Sequence, residues 1–174
     1  GTSSGIDPLI CYLQHPLLIK ENHIIRPIDI PRYELTSEDA IFLINSGKAI
    51  KTAPLVDQFM KDCENSAFKD SILNKYIPVN NSCIQSLIDA DIEKFTHDVK
   101  ALSEFQVNYF IKMIPPSLLD EWKEGLNTGD FILKLCGSGG GGFILGFTRQ
   151  YSKVRERFIN KGMEIIPVYQ YEGS

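Results

Sequence analysis

The order of apolar runs, periodic stretches and turn residues predicts an α+β fold, with helices packed on one face of a mostly antiparallel sheet. Three observations carry that reading. A continuous apolar run, Ala40-Ile41-Phe42-Leu43-Ile44, precedes a long helical stretch from Phe68 to Asn127. Two short aromatic and aliphatic runs, Phe131 to Cys136 and Phe143 to Phe147, bracket a glycine-dense segment. A helix-length stretch, Thr148 to Asn160, then leads to a last apolar run, Met163 to Tyr169.

Taken in order, Leu9 to Leu13, Leu17 to Lys20 and Ile24 to Ile28 are short apolar runs separated by turn residues, and read as strands of a hairpin-rich sheet. Pro27 and Pro31 break that regularity, and Pro31 to Glu38 is the expected domain boundary. Ala40 to Ile44 reads as a buried strand ending at Asn45-Ser46-Gly47. A helix is expected from about Ala53 to Asn65, with Lys48, Lys51 and Thr52 around its start. A helix N-terminus bearing a hydroxyl and lysines suits an anion; a capping threonine beside solvated lysines is the plainer alternative.

From Ile84 through Met113, apolar residues recur at three- and four-residue spacing, the signature of a stripe that buries against neighbours. Asp89 or Asp91 is expected to start a new helix, Pro115-Pro116 to end it, and Ser117 to cap the next. Leu118, Leu119, Trp122 and Leu126 form that next helix's core face, and Asn127-Thr128-Gly129 closes it. In the Thr148 to Asn160 helix, Val154 and Phe158 point inward, with Lys153, Arg155, Arg157 and Lys161 outward.

Composition excludes several functional classes. With 174 residues, 43% apolar and 23% charged, the chain has ordinary globular content and length for a substantial core. Its net charge of -4, without a basic cluster, argues against nucleic acid as a partner. Cys11, Cys63, Cys83 and Cys136 lie far apart with no C-x-x-C pair, as expected of reduced thiols in the cytoplasm. His15, His23 and His97 form no ligand pair, so no structural metal is expected. No signal segment and no apolar run of bilayer length is present in the sequence, so no membrane partner is expected.

Chemistry concentrates in Lys134-Leu135-Cys136-Gly137-Ser138-Gly139-Gly140-Gly141-Gly142-Phe143. Glycine at this density implies left-handed backbone or close approach to a ligand. Gly137, Gly139 and Gly142 satisfy G-x-G-x-x-G, but a strand follows where a dinucleotide fold needs a helix. The protein-kinase glycine loop does lie between strands, yet its partner motifs do not occur here. What remains is a strand-loop-strand nest whose amides can cradle an anion, with a linker or tight hairpin as the plain alternative.

This loop resembles the third signature motif of the GHMP kinases, the family of galactokinase, homoserine kinase, mevalonate kinase and phosphomevalonate kinase. That motif runs close to Lys-Leu-Thr-Gly-Ala-Gly-Gly-Gly-Gly-Cys, so the chain departs at Cys136, Ser138 and Phe143 and keeps every glycine. The beginning of the chain, Gly1-Thr2-Ser3-Ser4-Gly5-Ile6-Asp7-Pro8, is similar to the family's second motif, Pro-Ser-Gly-Ile-Asp. Without the distant loop, Ser4-Gly5 and Asp7-Pro8 read simply as a turn.

The resemblance implies a ferredoxin-like C-terminal domain over residues 37–174, preceded by the tail end of the N-terminal catalytic domain over residues 1–36. It further implies an ATP-dependent small-molecule kinase, with Asp7 acting on the acceptor hydroxyl and Ser4, Gly5, Lys51 and Thr52 beside the substrate. Gly137, Ser138, Gly139, Gly140, Gly141 and Gly142 would line the phosphates of ATP. Mg2+ ligands are expected from a part of the protein that this chain does not contain. The family's first motif, Pro-x-x-x-Gly-Leu-Gly-Ser-Ser-Ala, does not occur here, so a fragment inactive by itself is expected. Mevalonate is the expected alcohol, because the motifs look nearest to mevalonate kinases. Phosphomevalonate, homoserine or sugar kinases, a diphosphomevalonate decarboxylase, and a kinase-derived protein without turnover remain alternatives. A homodimer stays open.

Overall fold

A computed structural model describes residues 16–19, 25–28, 36–47 and 51–170, the side chains of 169 and 170 excepted. The first runs are β1 (Leu17–Ile19) and β2 (Ile25–Pro27), an antiparallel ribbon in which Leu18 faces Arg26. Pro27 ends β2 as a paired residue opposite Leu17, so it belongs to the strand it was expected to interrupt. The end position explains the tolerance, since proline lacks only a donor and none need follow. The expected strand Leu9 to Leu13 lies outside the described residues.

The main sheet contains β3 (Ala40–Asn45), β4 (Phe131–Leu135), β5 (Phe143–Thr148) and β6 (Glu164–Gln170). Their spatial order is β4-β5-β3-β6, with all neighbours antiparallel. Helical crossovers join β3 to β4 and β5 to β6, so each crossover spans one intervening strand. That is the ferredoxin-like arrangement expected from the order of elements.

Between β3 and β4 run α1 (Thr52–Asp62), α2 (Ser66–Ser71), a π-helical turn (Ile72–Tyr76), α3 (Ile77–Ile88) and α4 (Ile92–Tyr109). Two short 3-10 turns, Ile111–Met113 and Pro116–Leu118, lead to α5 (Leu119–Thr128), and α6 (Tyr151–Asn160) precedes β6. Asp91 starts α4 as expected, its carboxylate accepting from the Lys94 amide at 3.0 Å. Gly129 ends α5 in the left-handed region at φ 74°. Ser117 caps nothing, because Pro116–Leu118 is a 3-10 turn and α5 begins after Leu118. The last crossover helix starts at Tyr151 rather than Thr148, because Thr148 completes β5 and Glu38 accepts from the Ser152 amide at 2.9 Å, satisfying an end donor.

One face of the sheet carries Phe42, Ile44, Phe131, Leu133 and Ile144, which pack with Trp122 of α5 and Val154 and Phe158 of α6. Gly146 faces Phe42 across the ladder, and a methyl there would stand 2.2 Å from the Phe42 ring. On the other face Ile132 and Phe147 pair across β4 and β5 and meet Phe95 and Val99 of α4. α4 thus runs along the open edge of β4. Its stripe is not wholly apolar, since Asp98, Ser103 and Gln106 are buried within it. Each is satisfied: Ser82 donates to Asp98 at 2.7 Å, the Trp122 indole donates to Ser103 at 2.7 Å, and Gln106 serves the β4 edge.

Candidate functional site: the glycine loop and the cleft beside it

The loop joining β4 to β5 takes a path that only glycine follows without strain. Gly137, Gly139, Gly140, Gly141 and Gly142 all have positive φ, from 55° to 127°. At Gly139 close approach adds to conformation, since a Cβ there would lie 2.9 Å from the Met113 carbonyl oxygen. The loop is held from three sides. Gly140 donates its amide to the Met113 carbonyl at 2.6 Å, Ser46 donates to the Gly142 carbonyl at 2.8 Å, and Gly139 donates back to Cys136 at 3.1 Å. The amides of Gly139 and Gly140 are therefore engaged within the protein. Those of Gly137, Ser138 and Gly141 have no backbone acceptor among the described residues.

The first turn of α1 meets this loop. Ser138 Oγ donates to Thr52 Oγ1 at 3.2 Å, bringing together two candidates far apart in sequence. Thr52 is the first helical residue rather than the cap: Lys51 holds the cap position, makes no side-chain capping bond and is exposed. The threonine hydroxyl is thus turned toward the loop instead of toward its own helix. Ser4, Gly5 and Asp7 lie outside the described residues, as does Lys48.

A cleft of about 230 Å³ opens beside the loop. Leu55, Val56 and Phe59 of α1 form one wall, and Phe110 and Met113 another. Polar groups come from Lys134, Ser138, Tyr76 and Gln106. Gln106 is 2% exposed; its Oε1 accepts from the Leu135 amide at 2.9 Å and its Nε2 donates to the Tyr76 hydroxyl at 3.2 Å. Burial raises the Tyr76 phenol above its ordinary value, and the Gln106 bond opposes this only in part, so Tyr76 stays a neutral hydroxyl.

Tyr76 and Gln106 were not among the sequence-derived candidates. The π-turn that places Tyr76 has no local signature, and Gln106 occupies a position of the α4 stripe where an apolar residue is expected. A polar residue at a stripe position was the available signal. Cys83, on the buried side of α3, is a structural thiol that burial pushes up to about 11. Among the described residues, no three His, Cys, Asp or Glu side chains converge as a metal site would require, and no helix is long and apolar enough to cross a membrane.

The sheet order and its two helical crossovers define the class of architecture: a ferredoxin-like α+β fold, with the glycine loop between β4 and β5. Among solved structures, a phosphomevalonate kinase from Streptococcus pneumoniae, in complex with phosphomevalonate and AMPPNP, superposes with a TM-score of 0.63 at 20% identity, covering 85% of this chain and 42% of its own. The Lin0012 protein of Listeria innocua superposes with a TM-score of 0.67 at 19% identity, covering 86% of this chain and 42% of its own. The chain therefore spans about two fifths of the length of each. No family model and no curated protein matches it.

Proposed function

We propose that this chain is the C-terminal portion of a cytoplasmic GHMP-type kinase that transfers the γ-phosphoryl group of ATP to a small alcohol, mevalonate first among the candidates. Residues 1–36 would end the first domain and residues 37–174 form the second. The observation that carries the reading is the pairing of the glycine loop with the first turn of α1 through Ser138 and Thr52. It lies within a fold shared with a phosphomevalonate kinase.

Phosphoryl transfer needs alignment and charge neutralisation more than covalent help. In this reading the amides of Gly137, Ser138 and Gly141 face phosphate oxygens, and the start of α1, with Thr52 and Lys51, adds positive potential. Asp7 accepts or orients the proton of the acceptor hydroxyl. Mg2+, when bound, would neutralise charge between the phosphates. In this reading its ligands come from outside this chain, as the family resemblance implies.

The test is a coupled assay of ATP consumption by the complete native protein, with mevalonate, phosphomevalonate, homoserine and galactose supplied in parallel. Turnover with one acceptor, reduced by about 10² to 10⁴ in Asp7→Asn, is expected. Turnover with none of them would overturn the reading.

A further inference from the structure

The glycine loop leaves a strand whose outer edge has no neighbouring strand among the described residues, because β4 is terminal in the order β4-β5-β3-β6. The amides along such an edge normally face water or a partner chain. Here the Leu135 amide, two residues before Gly137, is taken by the side chain of Gln106 at 2.9 Å. The carboxamide stands in for a neighbouring strand at the last position before the loop departs. Its other end is fixed too, since Nε2 donates to Tyr76 at the end of the π-turn. Seven residues further on, Met113 accepts from Gly140 at the far side of the loop. The end of α4 and the turn after it thus hold the loop at both its entrance and its middle.

We propose that Gln106 is a positioning residue for phosphoryl transfer: by fixing the Leu135 amide it sets the path of the glycine loop, and so the direction of the amides of Gly137 and Ser138. This rests on the kinase reading for its catalytic consequence, but not for its structural one. A glutamine in this role is not replaceable by an apolar residue of the same size. Gln106→Met preserves the volume that α4 needs and removes both hydrogen bonds. Tyr76→Phe removes only the outer one and leaves the Leu135 contact intact.

The experiment compares the complete native protein with its Gln106→Met and Tyr76→Phe forms, by hydrogen exchange of peptides covering residues 135–142 and by steady-state kinetics. In Gln106→Met those peptides should exchange about tenfold faster or more, while peptides from α5 and α6 exchange as in the unaltered protein. The KM for ATP should rise by a similar factor with a smaller change in kcat. Tyr76→Phe should shift loop exchange by less than about threefold. Unchanged loop exchange in Gln106→Met overturns the proposal, as does acceleration spread equally over the whole domain, which would mark a merely structural glutamine. If the unaltered protein turns over no acceptor, the kinase reading fails, and the exchange result alone decides the positioning role.

Discussion

Ser138 Oγ lies 3.2 Å from Thr52 Oγ1, joining residues 86 positions apart and tying the glycine loop to the start of α1. Both groups sit near solvent, so the bond itself contributes little to folding. Thr52→Val keeps the shape and removes the hydroxyl. Stability measured by denaturant should fall by no more than about 1 kcal/mol. On the proposed kinase reading, phosphoryl transfer by the complete protein should fall by about tenfold or more in kcat/KM. A rate loss no larger than the unfolded fraction explains would contradict the role assigned to Thr52.

α1 has no fully buried residue; Leu55 and Phe59 are half-buried while Val56 and Met60 are exposed. α4 buries Phe95, Val99 and Leu102. Few buried apolar contacts mean a low free energy of local opening. Amides of α1 should therefore exchange well before those of α4, and AMPPNP should slow them selectively. Equal protection of the two helices in the absence of nucleotide would show that α1 is more firmly seated than its burial implies.

Two glycines next to one another in function differ in what an added methyl meets. At Gly139, φ is 72° and a Cβ would crowd Met113 and Leu135, at 2.9 Å from the Met113 oxygen. At Gly137 only the left-handed conformation opposes it, with nothing within 4 Å. Gly137→Ala should cost about 1 kcal/mol and Gly139→Ala about 2 to 3 kcal/mol. Equal losses in denaturant melts would mean that Met113 yields freely.

Gly146→Ala offers a test of the core. The new methyl would lie 2.2 Å from the Phe42 ring, so an overpacking loss of about 1 to 3 kcal/mol or more is expected. Phe42→Leu should recover part of that loss in a double-mutant cycle. Additive losses would place the clash elsewhere.

Glu121 of α5 is buried and accepts from Arg157 of α6 at 2.6 Å, with Lys161 as a second partner. Burial alone would raise its carboxyl, but the hydrogen bonds and charges of Arg157 and Lys161 outweigh it and hold the group below its ordinary 4.5. A depressed folded value means stability that is present above that ordinary value and lost as pH falls through the folded one. Glu121→Gln should therefore lower the denaturation midpoint at neutral pH and flatten its acid decline below about pH 5. A parallel acid decline in both proteins would assign the proton uptake to other carboxylates, with Asp98 the next to examine.

How much of this was legible in the sequence follows from which interactions are local. The strand-helices-strand-loop-strand-helix-strand order, the Asp91 start and the Gly129 stop depend on nearby residues and periodicity, and all are found. Long-range partners were not visible. Glu38 satisfies the start of α6 from 114 residues away, so nothing local marks that boundary. Gln106 and Tyr76 matter through what they touch across the fold; a polar residue at a stripe position marks Gln106, but nothing local names the partners of either. Thr52 and Ser138 were each picked out locally, whereas their meeting belongs to the tertiary structure.

The most direct test of the central claim is a crystal structure of the complete protein with AMPPNP. The Asp7 carboxylate and the amides of Gly137 and Ser138 should line one cavity, with the γ-phosphate between them. Asp7 on the far side of the molecule from the glycine loop, or a nucleotide bound away from that loop, would contradict it.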